Sequence, residues 1–355
     1  MIDMVVADND VLKGVFITAP RTVEVGPVQP SEPGAGQVLV RSIATGISAG
    51  TEMNVYRGDA PQWRQRQDPR TRLFVPGGDP EWRYPMAYGY ANVGWIERIG
   101  PGVDTVRRGQ LVFTYAAHAA AVVVPESLVV PLPDLAAPEL GVFVANLNTA
   151  YNGVLDARPP LGACVVVVGL GVIGQLAVRL LKRSGAGCVI AVDGAESRRL
   201  LARRSGADEI IDPDTEAVAE RVRALTADRG ADIVIEVSGA PAALGEAIRT
   251  VGYGGTVVVL SWYGGSFERL NLGGEFHHNR VRIISSQVGS VDPALGPLWS
   301  VERRTKYVVE LLSELDLASL VSHRFRVEDA AEGYALVDAA TEGVMQVILT
   351  YGDPS

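Results

Sequence analysis

The stretch that decides the fold class is residues 163–193, with the sequence ACVVVVGLGVIGQLAVRLLKRSGAGCVIAVD. The run 164–168 is apolar, rich in β-branched residues and too short for most helices, so it predicts a strand buried on both faces. Apolar residues then recur with helical period over 172–180, and a second apolar run, 189–192, ends at Asp193. This order predicts a strand–helix–strand unit of a parallel sheet.

Three glycines, Gly169, Gly171 and Gly174, join the first strand to the helix with the spacing G-x-G-x-x-G. The first permits a sharp turn, the second lets a pyrophosphate approach the backbone, and the third lets the helix pack against the sheet. Val172 and Ile173 begin the helix, where free N–H groups and the positive end of the helix dipole attract phosphates. The spacing therefore predicts a dinucleotide site, and the alternative is a glycine-rich turn that binds nothing.

Asp193 lies 19 residues beyond Gly174, at the end of the second predicted strand. A carboxylate at this position accepts hydrogen bonds from an adenosine ribose and repels a 2′-phosphate. The sequence therefore predicts NAD as the cofactor and favours it over NADP.

The composition restricts the classes of partner. The 355 residues are 47% hydrophobic and 21% charged, which is ordinary for a soluble globular protein of about two domains. A net charge of −9 argues against broad binding to nucleic acid or anionic membranes. No apolar run reaches transmembrane length and no signal-peptide pattern occurs, so we expect no membrane segment and a cytoplasmic location.

Residues that commonly ligate metals are few. Cys164 and Cys188 are the two cysteines, and both fall in predicted strands, so we interpret them as structural thiols of a reducing cytoplasm. The adjacent histidines 277 and 278 would point to opposite faces of a strand. Neither C-x-x-C nor H-x-x-x-H spacing occurs, so the sequence predicts no tightly bound zinc.

The predicted elements separate the chain into three segments. Residues 1–145 carry short strands between Pro and Gly clusters, which suggests a small β-barrel, and residues 146–286 alternate strands with helices, which predicts a doubly wound parallel sheet. Residues 287–355 add two helices and a closing strand. The predicted strands are 11–17, 22–25, 37–43, 92–99, 110–115, 118–124, 164–168, 189–192, 209–211, 233–237, 256–260, 281–285 and 344–350. The predicted further helices are 138–156, 197–204, 215–229, 242–251, 307–314 and 328–338.

The segment 55–90 shows no clear periodicity and is rich in arginine and aromatic residues. A structureless loop of this length is uncommon in a compact domain unless it is functional or disordered. It is interpreted either as a substrate-facing lobe or as a solvated loop whose arginines pair with Asp59, Asp68, Asp79 and Glu81.

Several motifs resemble the medium-chain dehydrogenase/reductase superfamily, whose zinc-dependent alcohol dehydrogenases are best known. The motifs are GQVLVR (36–41), TGISAGTE (45–52), GYANVG (89–94), NTAY (148–151), GADIVIE (230–236) and SHRF (322–325). The resemblance implies an α/β protein with a GroES-like β-barrel catalytic domain over 1–145, a Rossmann NAD-binding domain over 146–286 and a return to the catalytic domain over 287–355. G-I-S-x-G-T-E followed by Y-P-x-x-x-G-Y is most similar to a zinc-lacking branch that includes the bacteriochlorophyllide a dehydrogenases.

The positions of the superfamily's zinc ligands carry other residues here. Ser48-Ala49-Gly50 stands where a cysteine precedes the Thr-Asp pair, Tyr90 replaces the ligand histidine, and Ala145 replaces a further cysteine. The four-cysteine lobe of structural zinc is also missing. The resemblance therefore implies a zinc-independent enzyme, in which hydrogen-bond donors polarise the substrate oxygen.

The candidate donors are Ser48, Thr51, Tyr90, Asn146 and Asn148. Thr51 matches the superfamily's proton-relay hydroxyl and equally fits a turn-capping threonine. Tyr90 is expected to point into the cleft, either as a donor and acid–base group or as a ring that only lines the pocket.

Two ionisable residues complete the catalytic candidates. Glu52 matches the acid that orients a ligand histidine in the superfamily, and here it would hold Tyr90 or Arg57, act as a base, or form a structural ion pair. His118 lies on a strand that resembles one beside the cleft, and it also fits a satisfied core histidine.

On the same resemblance, further cofactor contacts are expected near the carboxyl ends of the strands. Thr149 is expected on the nicotinamide side, Ser238 and Gly239 near the ribose, and Ser261 near the carboxamide. Arg198 is expected over the adenine or on a solvated helix face.

These features favour a zinc-independent, NAD-linked oxidoreductase that moves a hydride between nicotinamide and a secondary alcohol or ketone of a sizeable polar metabolite. The alternatives are an enoyl or quinone reductase, which would prefer NADPH, and a non-catalytic nucleotide-binding protein. We also expect a homodimer formed by sheet extension at 281–286, because an apolar edge strand needs cover.

Overall fold

A computed structural model describes residues 11–76, 81–264 and 270–352. These residues form two compact units. Unit 1 contains the described residues up to Phe143 together with Val321–Ala340 and the described residues from Gln346 onward, and unit 2 contains the described residues of Val144–Leu320 together with Thr341–Met345.

The elements follow in chain order. Up to residue 143 they are β1 (Lys13–Ala19), β2 (Thr22–Pro27), β3 (Gln37–Ile47), α1 (Thr51–Arg57), β4 (Gln65–Gln67), β5 (Phe74–Pro76), β6 (Met86–Ala87), β7 (Asn92–Ile99), β8 (Leu111–Thr114), β9 (Ala121–Pro125) and β10 (Val129–Pro131). Then come α2 (Phe143–Ala157), β11 (Cys164–Val168), α3 (Val172–Arg183), β12 (Cys188–Val192), α4 (Glu196–Arg204), β13 (Glu209–Ile211), α5 (Val218–Leu225), β14 (Ala231–Glu236), α6 (Pro241–Thr250), β15 (Val251–Val259), α7 (Glu275–His278), β16 (Arg282–Ser285) and α8 (Val301–Leu311). The last are β17 (Val321–Arg326), α9 (Ala330–Asp338) and β18 (Gln346–Thr350).

In unit 1 a mainly antiparallel sheet has the order β10-β8-β7-β3-β18-β17, with β9 also paired to β3. The end of the chain completes this sheet, because β18 runs antiparallel to β3 and β17 lies parallel to β18. Val38 and Val40 of β3 share one face of the strand and pack with Ile96, Val112 and Val124 in the core. Leu39, which lies between them on the opposite face, is also buried.

In unit 2 a parallel sheet has the order β13-β12-β11-β14-β15-β16. Val165 and Val167 belong to one apolar core and Val166 and Val168 to another, so β11 is buried on both faces as its sequence predicts. The predicted α/β class with a doubly wound parallel sheet is confirmed.

The segment 287–320 lies in unit 2, and the return to unit 1 begins at Val321 rather than at residue 287. The physical reason is Arg304 of α8, whose side chain is buried. Its Nε donates to Asn148 Oδ1 at 3.1 Å and its Nη1 donates to Asn152 Oδ1, both on α2. A guanidinium held this way ties α8 to unit 2.

Several local predictions were wrong. The segment 55–90 is not structureless, because it contains the end of α1, the β4–β5 hairpin and β6. His277 and His278 end the short helix α7, so the argument that they would point to opposite faces of a strand does not apply to them. The helix expected over 215–229 spans only Val218–Leu225, and β17 was not anticipated.

No helix within the described ranges is long and apolar enough to cross a membrane.

Candidate functional site

Unit 1 brings together four of the residues that the sequence singles out. β3 ends at Ile47 and α1 begins at Thr51, so Ser48, Thr51 and Glu52 occupy a tight strand-to-helix turn. The hydroxyl of Tyr90 donates to Ser48 Oγ at 2.5 Å, and the side chain of Thr51 lies close enough to lower the pKa of Tyr90. We call Ser48, Thr51 and Tyr90 the hydroxyl cluster.

Glu52 lies behind the hydroxyl cluster with its side chain fully buried. Its Oε2 accepts from the backbone N–H of Ser48 at 2.9 Å, and its Oε1 accepts from the hydroxyl of Tyr334 and lies 2.8 Å from His118 Nε2. Arg57 pairs with Asp338 instead, so the expectation that Glu52 holds Arg57 was wrong. The carboxylate therefore fixes the backbone that carries Ser48.

His118 is the residue through which Glu52 is connected to the rest of unit 1. Its Nδ1 lies 2.7 Å from Thr45 Oγ1, which in turn lies 3.0 Å from the hydroxyl of Tyr351. Gly89 packs directly on the imidazole, because a Cβ at Gly89 would lie 2.6 Å from His118 Cδ2, and its φ of +122° also favours glycine. His118 is thus a buried histidine with both nitrogens paired, and no pattern in the sequence indicated its contact with Glu52.

The tyrosines around Glu52 are held in their neutral form. Loss of hydration raises the pKa of Tyr90, and the Glu52 carboxylate raises it further, while the bonds from Ser48 and Thr51 act in the opposite direction. Burial and then Glu52 raise the pKa of Tyr334, and the same causes raise the pKa of Tyr88 to about 12. These phenols are therefore hydrogen-bond donors at neutral pH.

The described residues contain no group of three His, Cys, Asp or Glu side chains arranged to hold a metal ion. Hydroxyls occupy two of the positions where zinc-type members have ligands, Ser48 and Tyr90, and the third, Ala145, is a buried methyl group. Neutral hydroxyls are poor zinc ligands beside Cys and His. The absence of zinc stays a prediction.

In unit 2 the three glycines have the geometry that their spacing predicts. A Cβ at Gly174 would lie 2.0 Å from the carbonyl oxygen of Gly169, and one at Gly169, where φ is +94°, would lie 2.6 Å from the backbone of Ser238. A Cβ at Gly171 would meet nothing within 4 Å. Gly171 is the residue that precedes α3, and it has no side chain to cap the helix. Open space therefore adjoins the N–H groups of Val172 and Ile173 in the first turn. This space fits a pyrophosphate.

Asp193 holds the glycine-rich turn in place. Its Oδ2 accepts from the N–H of Leu170 at 2.7 Å, and its Oδ1 accepts from the N–H of Ala195 at 2.9 Å. Arg198 lies beside it with Nη1 at 3.9 Å from Oδ2, and Nε of Arg198 has no partner among the described residues. The carboxylate retains lone pairs for ribose hydroxyls, and the adjacent guanidinium is a feature that sequence spacing did not indicate.

The residues predicted to follow the strands also meet. Gly239 N–H donates to Ser261 Oγ at 2.9 Å, beyond the ends of β14 and β15, and Ser238 contacts Gly169 through its backbone. Sequence reasoning missed Glu236, which is fully buried and accepts from the hydroxyls of Ser238 and Tyr263. The carboxyl ends of the strands therefore surround the glycine-rich turn, as in dinucleotide-binding sheets.

The α2 candidates lie in unit 2. Asn148 is fully buried, its amide donates to Val144 O, and its Oδ1 accepts from Arg304 and Thr305. These bonds hold α8 against α2, so the side chain does not act as a donor to a substrate oxygen. This corrects its proposed role as a donor. Thr149 bonds back to Ala145 O at 3.2 Å, and Asn146 is 8% exposed.

Comparisons with known proteins agree with this architecture. A family model described as zinc-binding dehydrogenase matches residues 172–301. L-threonine 3-dehydrogenase of Pyrococcus furiosus is 31% identical over 352 residues, which cover 90% of this chain and 92% of that protein. D-guloside 3-dehydrogenase of Escherichia coli K12 is 38% identical over 205 residues, which cover 57% of this chain and 59% of that relative's length.

Among solved structures, a protein described as a short chain alcohol dehydrogenase from Escherichia coli CFT073, complexed with NADH, has a TM-score of 0.77 at 21% identity. The superposed residues cover 96% of this chain and 99% of the Escherichia coli chain, which shows that the two share a fold. With the fold, the glycine-rich turn and a relative at 31% identity along nearly its whole length, the chain belongs to the medium-chain dehydrogenase/reductase superfamily.

Proposed function

We propose that this protein is a zinc-independent, NAD-dependent dehydrogenase that interconverts a secondary alcohol and its ketone. The observation that carries the proposal is the hydroxyl cluster of Ser48, Thr51 and Tyr90, backed by the buried carboxylate of Glu52. Hydrogen-bond donors aimed at an oxygen on which charge develops can replace part of the polarising effect of a metal.

Each residue has a distinct task in this proposal. Tyr90 and Ser48 hold the substrate oxygen by hydrogen bonds. Because both hydroxyls are neutral, each relays the alcohol's proton by accepting one proton as it gives up its own, and solvent water takes up the released proton when the alcohol becomes a ketone. Glu52 is a positioning residue, because it binds the N–H of Ser48 rather than a reacting atom. NAD⁺, when bound, supplies the acceptor of the hydride.

The choice of a secondary alcohol is supported by the two relatives, which are both named as dehydrogenases acting at position 3 of their substrate. The preference for NAD is supported by the position of Asp193 at the glycine-rich turn. We further propose a homodimer in which β16, the edge strand of the unit 2 sheet, pairs with its copy. We also propose a cytoplasmic location, in which Cys164 and Cys188 are reduced structural thiols.

The test combines metal analysis with turnover. The purified protein, treated with a chelator and checked by elemental analysis, is incubated with NAD⁺ and a panel of secondary alcohols, and NADH absorbance is followed. We expect turnover without stoichiometric zinc. Tyr90→Phe is expected to reduce kcat by about 10²-fold, as for the loss of one oxyanion donor.

Other outcomes would contradict the proposal in different ways. One zinc per subunit that is removable only with loss of turnover would contradict zinc independence. NADPH oxidation by enones without alcohol oxidation would instead indicate a reductase of C=C bonds. Binding of NAD⁺ without any hydride transfer would favour a non-catalytic protein.

A further inference from the structure

Glu236 is the last residue of β14 and lies in the middle of the carboxyl edge of the unit 2 sheet. Its register partners are Val168 of β11, which leads into the glycine-rich turn, and Val259 of β15. The side chain of Glu236 is fully buried. A carboxylate is buried in a protein only where donors satisfy its oxygens, because the loss of hydration is unfavourable.

The donors to Glu236 come from the two segments that follow β14 and β15. Its Oε1 accepts from the backbone N–H of Ser238 at 2.8 Å and from the Ser238 hydroxyl at 2.5 Å. Its Oε2 accepts from the hydroxyl of Tyr263. Hydrogen bonds to a charged acceptor are stronger than those between neutral groups. One side chain therefore holds both segments.

Further contacts close these bonds into a ring. The N–H of Gly239 donates to Ser261 Oγ at 2.9 Å. The side chain of Ser261 lies close enough to Tyr263 to lower its pKa. We call Glu236, Ser238, Gly239, Ser261 and Tyr263 the carboxylate ring. Each of the two segments is thus fixed both to Glu236 and to the other segment.

The phenol of the carboxylate ring is held in its neutral form. Burial, and then the bond to Glu236 and its charge, raise the pKa of Tyr263, while Ser261 acts in the opposite direction. Tyr263 therefore remains a donor to Glu236 at neutral pH, and the ring keeps the same bonds across the range in which the protein would work.

The carboxylate ring adjoins the candidate cofactor site. A Cβ at Gly169 would lie 2.6 Å from the backbone nitrogen of Ser238, so the first glycine of the turn packs on the ring. Ser238 and Ser261 are the residues expected near the ribose and the carboxamide. Glu236 has no exposed surface, so it acts through these residues and does not touch a cofactor itself.

We propose that Glu236 is a positioning residue for the nicotinamide dinucleotide, because its carboxylate holds residues 238–240 and 261–263 in the conformation that receives the cofactor. The inference rests on the proposed function, which supplies the cofactor. It predicts a larger effect on cofactor affinity than on hydride transfer, since Ser48 and Tyr90, which hold the substrate oxygen in that function, belong to unit 1.

The first test compares the wild-type protein with Glu236→Gln. The amide keeps the size of the side chain but replaces one acceptor oxygen by an NH₂ group, so the three bonds to the carboxylate cannot all be kept. We expect the dissociation constant of NADH, measured by titration of its fluorescence, to rise about tenfold. We expect kcat with NAD⁺ and a secondary alcohol to change less than about threefold. An unchanged dissociation constant would overturn the inference.

The matched control is Thr226→Val, at the other end of β14. The buried hydroxyl of Thr226 donates to Val222 O at 2.8 Å and accepts from the N–H of Gly230 at 3.0 Å, just before the strand begins. Its loss should lower the melting temperature of the protein and leave NADH affinity unchanged. An equal loss of affinity in Thr226→Val would show that Glu236 acts only through general stability.

A second variant tests the coupling within the carboxylate ring. Tyr263→Phe removes one donor and keeps the aromatic ring. The double variant with Glu236→Gln should lose less NADH affinity than the sum of the single variants, because both lose the same bond. Hydrogen exchange at the amide of Ser238, measured without cofactor, should be faster in Glu236→Gln. Strictly additive losses together with unchanged exchange would contradict the ring.

The two proposals fail separately. If NADH binds and Glu236→Gln weakens it, but no alcohol is oxidised, the positioning role stands and the proposed dehydrogenase activity fails. If alcohols are oxidised and Glu236→Gln leaves both the KM for NAD⁺ and the dissociation constant of NADH unchanged, the activity stands and the positioning role is wrong. If the wild-type protein does not bind NADH, both are overturned.

Discussion

Glu52 and His118 lie 66 residues apart in the chain, and their side chains, both fully buried, meet with Oε1 and Nε2 separated by 2.8 Å. Glu52 also accepts from Ser48 N–H and from the hydroxyl of Tyr334, so its two oxygens serve three donors. The pair therefore joins the strand-to-helix turn of the hydroxyl cluster to the core of unit 1.

This relationship predicts the effect of Glu52→Gln. The amide has one acceptor oxygen and one NH₂ group, so at least one of the three donors loses its partner. We expect the free energy of unfolding to fall by about 1–3 kcal/mol, together with a lower kcat because Ser48 is no longer fixed. His118→Gln should cost a similar amount, and the double variant less than the sum of both, because they lose the same bond.

The control for this prediction is Glu97→Gln, which removes a partly exposed pair with Arg41 at 2.7 Å. Its effect should stay within about 1 kcal/mol. Chemical denaturation measures all four variants, and strictly additive losses for Glu52 and His118 would argue that they are not coupled.

The glycine-rich turn predicts opposite results for two alanine substitutions. Gly174→Ala places a methyl group 2.0 Å from the carbonyl oxygen of Gly169, so we expect destabilisation of about 1–3 kcal/mol or more. In Gly171→Ala the new methyl group has no atom within 4 Å, and the φ of −64° suits alanine. The free energy of unfolding should therefore change by less than about 0.5 kcal/mol, while the affinity for NAD⁺ falls because the methyl group occupies the space proposed for the pyrophosphate. Thermal unfolding and calorimetric titration with NAD⁺ separate the two effects, and unchanged affinity in Gly171→Ala would place the phosphates elsewhere.

The neighbourhood of Asp193 and Arg198 predicts the direction of a cofactor change. Asp193→Ala removes the negative charge and leaves the guanidinium, which suits a 2′-phosphate. We expect the preference for NAD over NADP, measured as the ratio of dissociation constants, to fall by about tenfold or more. Adding Arg198→Ala should abolish the gain in NADP affinity, and a gain that persists would show that Arg198 is not the phosphate partner.

The tyrosines near Glu52 predict how stability depends on pH. Burial, and then the Glu52 carboxylate, raise the pKa of Tyr88 from its usual 10 to about 12. Unfolded Tyr88 therefore ionises above pH 10 while the folded residue stays neutral. The contribution of this shift to the free energy of unfolding is fully present below pH 10 and is lost as the pH rises through 12. Near pH 11 this loss is about 1 kcal/mol from Tyr88 alone.

Melting temperatures between pH 8 and 12 test this sign. Tyr88→Phe should make the decline above pH 10 shallower, whereas Tyr253→Phe, which alters a side chain that is 73% exposed, should leave it unchanged. A wild-type melting temperature that rises between pH 10 and 12 would contradict the assignment.

The sequence by itself determined the parallel sheet of unit 2 and its candidate cofactor site. The apolar run 164–168, the glycine spacing and Asp193 lie within one local unit, where strand, turn and helix follow from neighbouring residues. The structure accordingly has β11 and β13 at the predicted bounds and the three glycines in the predicted geometry. Ser48, Thr51 and Glu52 were also predicted, because the motif TGISAGTE (45–52) resembles a catalytic motif of the superfamily.

Only the tertiary structure decided which distant residues complete each arrangement. His118 and Tyr334 reach Glu52 because β3, the strand region near β9 and α9 pack in one unit, and Arg304 captures Asn148 from 156 residues away. Hydrogen bonds across such separations depend on sheet pairing and packing, which leave no periodic signal in a single sequence. For the same physical reason, the sequence did not indicate that Trp63 stacks on Tyr84, with ring centroids 4.0 Å apart.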